Sequence, residues 1–322
     1  MNYQSVWLRR FAKLVAGATF VLIFVGGLVT STGSGLAVPD WPTTYGHFMF
    51  SFPFSKMIGG ILYEHGHRMV ATLVGFLMTV LAVWLWLREP RHWVKWLGLG
   101  ALLAVIAQGV LGGITVLFLL PTPVSVLHAC LAQGFFCLTI CLAMFTSREW
   151  GQSVRKVEDA SKPGVPFLAA TTTAVVYVQL ILGAIMRHTG SGLAIPDFPL
   201  AFGKIIPPIH SQAVAIHFLH RLGALLVTLS ILCTVVQVFR HHKNEPRLTR
   251  PALVLTGALI LQIVLAGFTI WTRKAVLPTT LHVATGAFIL GTSLVLTLRA
   301  YRYLETAEQA VKQTFIVEQP ST

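Results

Sequence analysis

Residues 32–42 read TGSGLAVPDWP, and residues 189–199 read TGSGLAIPDFP. Three further matches follow in the same order at a nearly constant offset. His67-Arg68 returns as His220-Arg221, and Leu127-His128 returns as Leu281-His282. Between them the run Gln108-Gly-Val-Leu-Gly-Gly-Ile-Thr-Val returns as Gln262-Ile-Val-Leu-Ala-Gly-Phe-Thr-Ile. Ordered matches of this kind mark an internal duplication, so the chain is two tandem copies of one unit.

Outward from these motifs the sequence is built of long apolar blocks. They occupy residues 11–29, 72–87, 96–120 and 127–145 in the first half, and 167–186, 213–239, 253–271 and 281–298 in the second. The second block is expected to begin earlier, near Ile61. Blocks of about 20 apolar residues match the hydrocarbon thickness of a bilayer as helices. Composition agrees, with 55% hydrophobic and 11% charged residues in the 322-residue chain, where a soluble domain carries about 25% charged. The expected fold is all-α and integral to the membrane: eight transmembrane helices as two tandem pseudo-symmetric four-helix bundles. Residues 1–150 form the first bundle, 151–164 a polar cytoplasmic linker ending in Lys162-Pro-Gly, and 165–322 the second bundle. An even number of helices per unit makes the two copies parallel repeats.

The net charge of +13 would suggest nucleic acid in a soluble chain. Its placement points instead to topology. With the N-terminus inside, the inner segments hold Arg9, Arg10, Lys13, Arg88, Arg91, Lys95, Arg148, Arg155, Lys156 and Lys162, then Arg240, Lys243, Arg247, Arg250, Arg299, Arg302 and Lys312. The outer loops hold only Lys56, Arg187, Lys204, Arg273 and Lys274. This positive-inside bias puts both termini in the cytoplasm. The partner it implies is a lipid bilayer and not nucleic acid. Block 11–29 is too long for a signal peptide and no small-residue cleavage site follows it, and no Arg- and Ser-rich transit sequence is present, so a bacterial cytoplasmic membrane is expected. Cys130, Cys137, Cys141 and Cys233 all sit in apolar blocks and read as small packing residues.

The glycine-rich outer loops are not phosphate loops, since no strand precedes them and no Gly-Lys-Ser/Thr follows. Their glycines are expected to make tight turns, and Pro39, Pro42, Pro196 and Pro199 to stiffen the return to the next helix. Trp41 and Phe198 are expected at the membrane interface.

The chemistry concentrates in His67, His128, His220 and His282. Each lies at the outer start of the second, fourth, sixth or eighth span, so each unit offers two imidazoles on different helices at similar depth. Ionisable residues in membranes are costly and face a bundle interior or a functional cavity. Zinc takes three or four protein ligands, and no Cys, Asp or further His repeats alongside these pairs. A haem iron needs only two axial ligands, which imidazole supplies. Small residues nearby, Gly109, Gly112, Gly113, Ala266 and Gly267, suit either a porphyrin or ordinary close helix packing. Arg68 and Arg221 follow the ligand candidates and suit either porphyrin carboxylates or lipid headgroups. Glu64 lies on the same helical face as His67, three residues before it, whereas its counterpart in the second unit is His217. Glu64 serves either as the partner of Arg68 or as a group that handles protons or stabilises positive charge. A carboxylate beside only one pair implies that the two sites do different work.

Taken together, the duplicated four-helix unit, the TGSGL…PDWP loops, Glu64-x-x-His67-Arg68, His128, His220 and His282 resemble the haem A synthase family. The resemblance covers nearly the whole chain. It implies a haem-dependent oxidoreductase that converts haem O to haem A for cytochrome oxidase by oxidising one porphyrin methyl group to formyl. It further implies a resident haem B on His220 and His282, with Arg221 beside it. Haem O as substrate would sit on His67 and His128 with Arg68, and Glu64 would be the catalytic residue. Expected partners are haem O synthase, the cytochrome oxidase assembly pathway and a membrane electron donor. One departure is that the first outer loop lacks the cysteine pair that some members carry, so a thiol step through that loop has no support here. The rival class is a bis-histidine membrane cytochrome that only transfers electrons. All four histidines near one face argue against a wire across the membrane. Transport is weaker still, because the inner halves of the spans are nearly free of ionisable residues.

Overall fold

The computed structural model describes residues 6–154 and 156–306. Arg155 and Lys312, counted above among the inner charges, lie outside the described residues. Among those described, eight helices are long and apolar enough to cross a membrane. They are α1 Val6–Ser31, α2 Gly60–Arg88, α3 His92–Leu117, α4 Thr122–Phe145, α6 Val165–His188, α7 Gln212–His241, α8 Pro246–Trp271 and α9 Val276–Tyr303, with a single-turn α5 at Arg148–Gly151. The chain is a multi-pass membrane protein of the all-α class. Spans of 24 to 30 residues are about 36–45 Å long at about 1.5 Å per residue, longer than the hydrocarbon core of about 30 Å. Their ends therefore stand in the interfacial layers.

Helix α2 does begin near Ile61, at Gly60. The fourth and eighth spans also start ahead of their apolar blocks, at Thr122 and Val276. Their first turns carry Pro and Thr, which favour helix starts but interrupt an apolar count. As a result the four histidines are not in first turns. Counted from the helix starts at about 1.5 Å per residue, they lie about 9–12 Å inside the outer ends. Helix α3 stops short of the block's end at Leu120. Leu119 and Leu120 turn into left-handed backbone (φ 57° and 59°), and the Leu120 N–H closes on the Thr115 carbonyl at 2.7 Å. Arg273 and Lys274 end α8 in the same way, with Lys274 N–H on Thr269 O at 2.7 Å.

Helices α1 and α3 each pack against both α2 and α4, and α6 and α8 each pack against both α7 and α9. Across the middle, α1 meets α9, and α4 meets α6 and α9. Helix α9 is the most enclosed span, with 56% of its apolar window buried against 33% or less for the others. Two large apolar cores lie on the inner side. One joins Leu8, Val15, Met78, Leu85, Val94 and Phe135; the other joins Val165, Val176, Ile231, Leu248, Leu255 and Leu296. These residues come from the halves of their helices away from the TGSGL loops. The outer halves are left to histidines, glutamines, glycines and the loops.

The linker is more structured than a polar spacer. Its strand β1, Val157–Asp159, pairs in parallel with β2, Leu304–Thr306, just beyond α9. The Glu149 carboxylate of α5 accepts from Arg299, and the Glu149 carbonyl accepts from Arg302. Asp159 accepts from the Ser161 N–H and hydroxyl, the Val165 N–H that opens α6, and His242 Nε2.

Candidate functional site

His67 on α2 and His128 on α4 lie near enough to interact electrostatically, and so do His220 on α7 and His282 on α9. Helix backbones crowd three of the rings. A Cβ on Gly26 would stand 3.1 Å from His67 Cε1, one on Gly112 3.2 Å from His128 Cε1, and one on Gly183 3.2 Å from His220 Cε1. Only glycine lets the imidazoles sit this close to α1, α3 and α6, so at these positions the small residues do more than pack helices. Glutamine amides accompany the rings. Gln108 Nε2 donates to the His128 carbonyl at 2.9 Å and lies 3.4 Å from its Nε2; Gln262 Nε2 lies 3.4 Å from His282 Nε2. Gln179 Nε2 donates to the His220 carbonyl at 2.8 Å and lies 3.1 Å from its Nδ1. The repeat counterpart of Gln179 is Leu22, so the first pair has no such amide.

One nitrogen in each of three rings is left without a partner. Nδ1 of His67, His128 and His282 is buried with no hydrogen-bond partner, an arrangement that costs free energy in a purely structural histidine. Among the described residues no three His, Cys, Asp or Glu side chains gather as a metal cluster. What the fold presents is imidazoles in twos, at one depth, above apolar cores and against glycine-lined helices. This fits haem iron, with one imidazole on each face of a porphyrin.

Glu64 and Arg68, both buried, form an ion pair at 2.7 Å on α2. The other carboxylate oxygen of Glu64 accepts the Val38 N–H at 2.8 Å. Arg68 donates to the carbonyls of Val38 (2.9 Å), Asp40 (2.7 Å) and Thr43 (3.0 Å). Arg221 makes the matching contacts to Ile195, Asp197 and Leu200 carbonyls, and His217 Nδ1 accepts the Ile195 N–H at 3.2 Å. Both arginines are thus engaged by loop backbone. From sequence both suited either porphyrin carboxylates or headgroups, and none of these carbonyl partners was evident. Acceptor carbonyls of a distant loop leave no mark in a sequence.

Each loop is closed by the same devices. After α1, Gly33 (φ 67°) ends the helix, with Ser34 N–H on Val29 O at 2.9 Å. Thr44-Tyr45-Gly46-His47 and Ala201-Phe202-Gly203-Lys204 are two-residue hairpins with positive φ at both central residues. Asp40 braces the first. Burial raises its pKa, but the Gly46 N–H, the Thr43 hydroxyl and the Tyr45 N–H outweigh this and hold it at about 2. Asp197, bonded first by the Gly203 N–H and then by the Phe202 N–H, is likewise held low. Trp41 does not simply rest at the interface. A Cβ on Gly113 would collide with its indole at 2.4 Å, so Trp41 lies flat on α3 one residue from Gly112, which faces His128. Phe198 lies correspondingly on Gly267 of α8. The loops therefore pack on the outer ends of α2 and α3 in the first unit and of α7 and α8 in the second.

Sequence reasoning missed several residues. Gln108 and Gln262 stood inside the repeated run, where their recurrence was the signal. Arg187 and His188 have no repeat counterpart of their kind, the matching residues being Thr30 and Ser31. Arg187 is not an outer-loop charge; it sits in the last turn of α6, where it interacts with His282, while His188 interacts with His128. The four cysteines are free, as packing residues would be.

Residues 50–295 match the family described as cytochrome oxidase assembly protein. A protein named heme A synthase from Shouchella clausii is 30% identical over 245 residues, 73% of this chain and 78% of the relative. One of the same name from Symbiobacterium thermophilum is 32% identical over 232 residues, 69% and 72% of the two chains. Another from Alkalihalophilus pseudofirmus is 29% identical over 269 residues, 82% and 86%. With matches of this extent on a fold that sets paired histidines in its outer half, the chain belongs to the haem A synthase family of cytochrome oxidase assembly proteins.

Proposed function

We propose that this protein is a haem A synthase, an oxidoreductase that takes one methyl group of haem O to formyl and so makes haem A for cytochrome oxidase. The observation that carries the assignment is the unequal pair of bis-imidazole centres. His67 shares α2 with the buried Glu64–Arg68 ion pair, while His220 shares α7 with His217 and has the Gln179 amide at its ring. On this reading residues 1–150 bind the substrate haem O and residues 165–322 hold a resident haem B that relays electrons. The helix pairings support such a division, since α1–α4 and α6–α9 each pack as a closed set.

The bound haem supplies the redox chemistry. The chain's own residues position it and protect it. His67 and His128 would hold the substrate haem, with Gly26 and Gly112 close against the two rings. Glu64 provides a preorganised negative charge one helical turn from His67, suited to stabilising positive charge that develops at the porphyrin edge. Arg68 and Arg221 act at one remove, by holding the loops that close the outer ends and exclude water. The distribution of basic residues supports placement in the bacterial cytoplasmic membrane with both termini inside. Haem O synthase is the expected source of the substrate, and a membrane electron donor the expected reductant of the second site.

Variants that remove one ligand at a time test the division of labour. His220→Ala or His282→Ala should abolish the low-spin haem B spectrum. His67→Ala or His128→Ala should leave that spectrum and abolish haem A formation. Haem B that depends on His67 and His128 and not on His220 and His282 would reverse the assignment.

A further inference from the structure

Arg187 is a cation with no acid partner, placed beside one of the two centres. It lies in the last turn of α6 and reaches across to α1, where Nη2 donates to the Gly27 carbonyl at 3.3 Å and to Ser31 Oγ at 3.0 Å. No carboxylate among the described residues pairs with it. Both contacts are neutral and use one nitrogen, which leaves the guanidinium fork largely unspent. Arg187 stands one turn beyond Gly183 on the same face of α6. A Cβ on Gly183 would lie 3.2 Å from His220 Cε1, so Arg187 lies on the face of α6 that meets that ring. Arg187 is close enough to His282 to interact with it electrostatically. The corresponding residue of the first unit is Thr30, whose hydroxyl turns back onto its own helix at the Gly26 and Gly27 carbonyls.

A buried cation in a membrane protein calls for an anion, and a guanidinium fork matches a carboxylate in both geometry and charge. Protoporphyrin carries two propionates on one edge. We propose that Arg187 anchors a propionate of the haem held by His220 and His282, and that this cation makes that haem easier to reduce. The assignment rests on the haem B reading above. It gives the second centre a fixed orientation, propionate edge toward α1 and the middle of the molecule, which the Thr30 position does not give the first.

The test uses the purified holoprotein in detergent. Wild type, Arg187→Gln and Arg187→Lys are compared by redox titration, by the resonance Raman propionate-bending band, and by haem release to excess apomyoglobin. Arg187→Gln is expected to keep the bis-imidazole spectrum, to lower the midpoint potential, to shift the propionate band, and to release haem about tenfold faster or more, the loss of one charged hydrogen-bonded contact. Arg187→Lys, which keeps the charge without the fork, should hold most of the potential while still shifting the band. If the Gln variant does not accumulate, the Lys variant carries the test through the band alone. An unmoved band and unmoved potential in variants that retain bis-imidazole haem would overturn the anchor and leave the haem B reading standing. Wild type without a bis-imidazole haem would overturn that reading and the anchor with it.

Discussion

Glu64 and Arg68, one turn apart on α2, both grip Val38: the carboxylate takes its N–H at 2.8 Å and the guanidinium its carbonyl at 2.9 Å, while the two side chains pair at 2.7 Å. The second unit keeps this geometry with different charge. His217 accepts the Ile195 N–H and Arg221 donates to the Ile195 carbonyl. The clamp on the loop is common to both units, so the loop alone does not account for a carboxylate at Glu64. What Glu64 adds is a carboxylate partner for Arg68, one turn along the helix that carries His67.

Two substitutions separate these roles. Glu64→Gln retains an oxygen for the Val38 N–H and should fold, hold haem B, and form little or no haem A. Arg68→Ala strands a buried carboxylate, a loss of about 3–5 kcal/mol, and should lower the melting temperature and expose the loop at 32–59 to protease. Full haem A production by the Gln variant would remove Glu64 from the chemistry. Thermal melts and pigment analysis of both variants decide the matter.

Glycines facing the rings provide a finer probe. Gly183→Ala puts a methyl 3.2 Å from His220 Cε1 and should perturb the haem B spectrum, at a cost of about 1–3 kcal/mol for overpacking. Gly26→Ala and Gly112→Ala should leave that spectrum alone and reduce haem A yield. Optical and EPR spectra of the three variants test whether the effects follow the unit.

The eight spans were legible because apolar length is a local property of a sequence. Arg68 and Arg221 were legible as important but not in their role, since their partners are backbone carbonyls of loops folded back from far along the chain. The pairing of Val157–Asp159 with Leu304–Thr306 was hidden for the same reason: each strand is only three residues, and its partner is half the protein away. Arg187 was misplaced by counting charges in loops, because α6 runs on to His188, past the apolar block that ends at residue 186. Its relation to His282 depends on helices α1, α6 and α9 converging, which no pattern in any one of them announces.

The outer loop should be resistant to acid. Asp40 has a folded pKa near 2, below the ordinary 3.8, so its bracing of the hairpin is fully present above about pH 4 and is lost as the pH falls through 2. Proteolytic accessibility of the 32–59 loop in wild type should rise only in that window. Asp40→Asn should be accessible at every pH; protection in that variant equal to wild type would show that the carboxylate does not brace the turn.

At the opposite end of the helices, Asp159 ties the linker to the start of α6. Burial pushes its pKa up, but the bonds from Ser161, His242 and Val165 pull it below the usual value, so its contribution is present at neutral pH and lost toward acid. Asp159→Ala removes a cap-like contact to the Val165 N–H, a loss of about 0.5–2 kcal/mol. A lower melting temperature with unchanged haem content is the expected result; unchanged melting would detach the linker from the stability of the second unit.

The most direct test is haem extraction and chromatography from the purified protein, expressed with and without a haem O synthase. Haem B alone without the synthase, and haem B together with haem A when haem O is supplied, is the expected result. Haem B unchanged in both cases would contradict the synthase assignment, and a protein free of haem would contradict the reading of His67, His128, His220 and His282 as iron ligands.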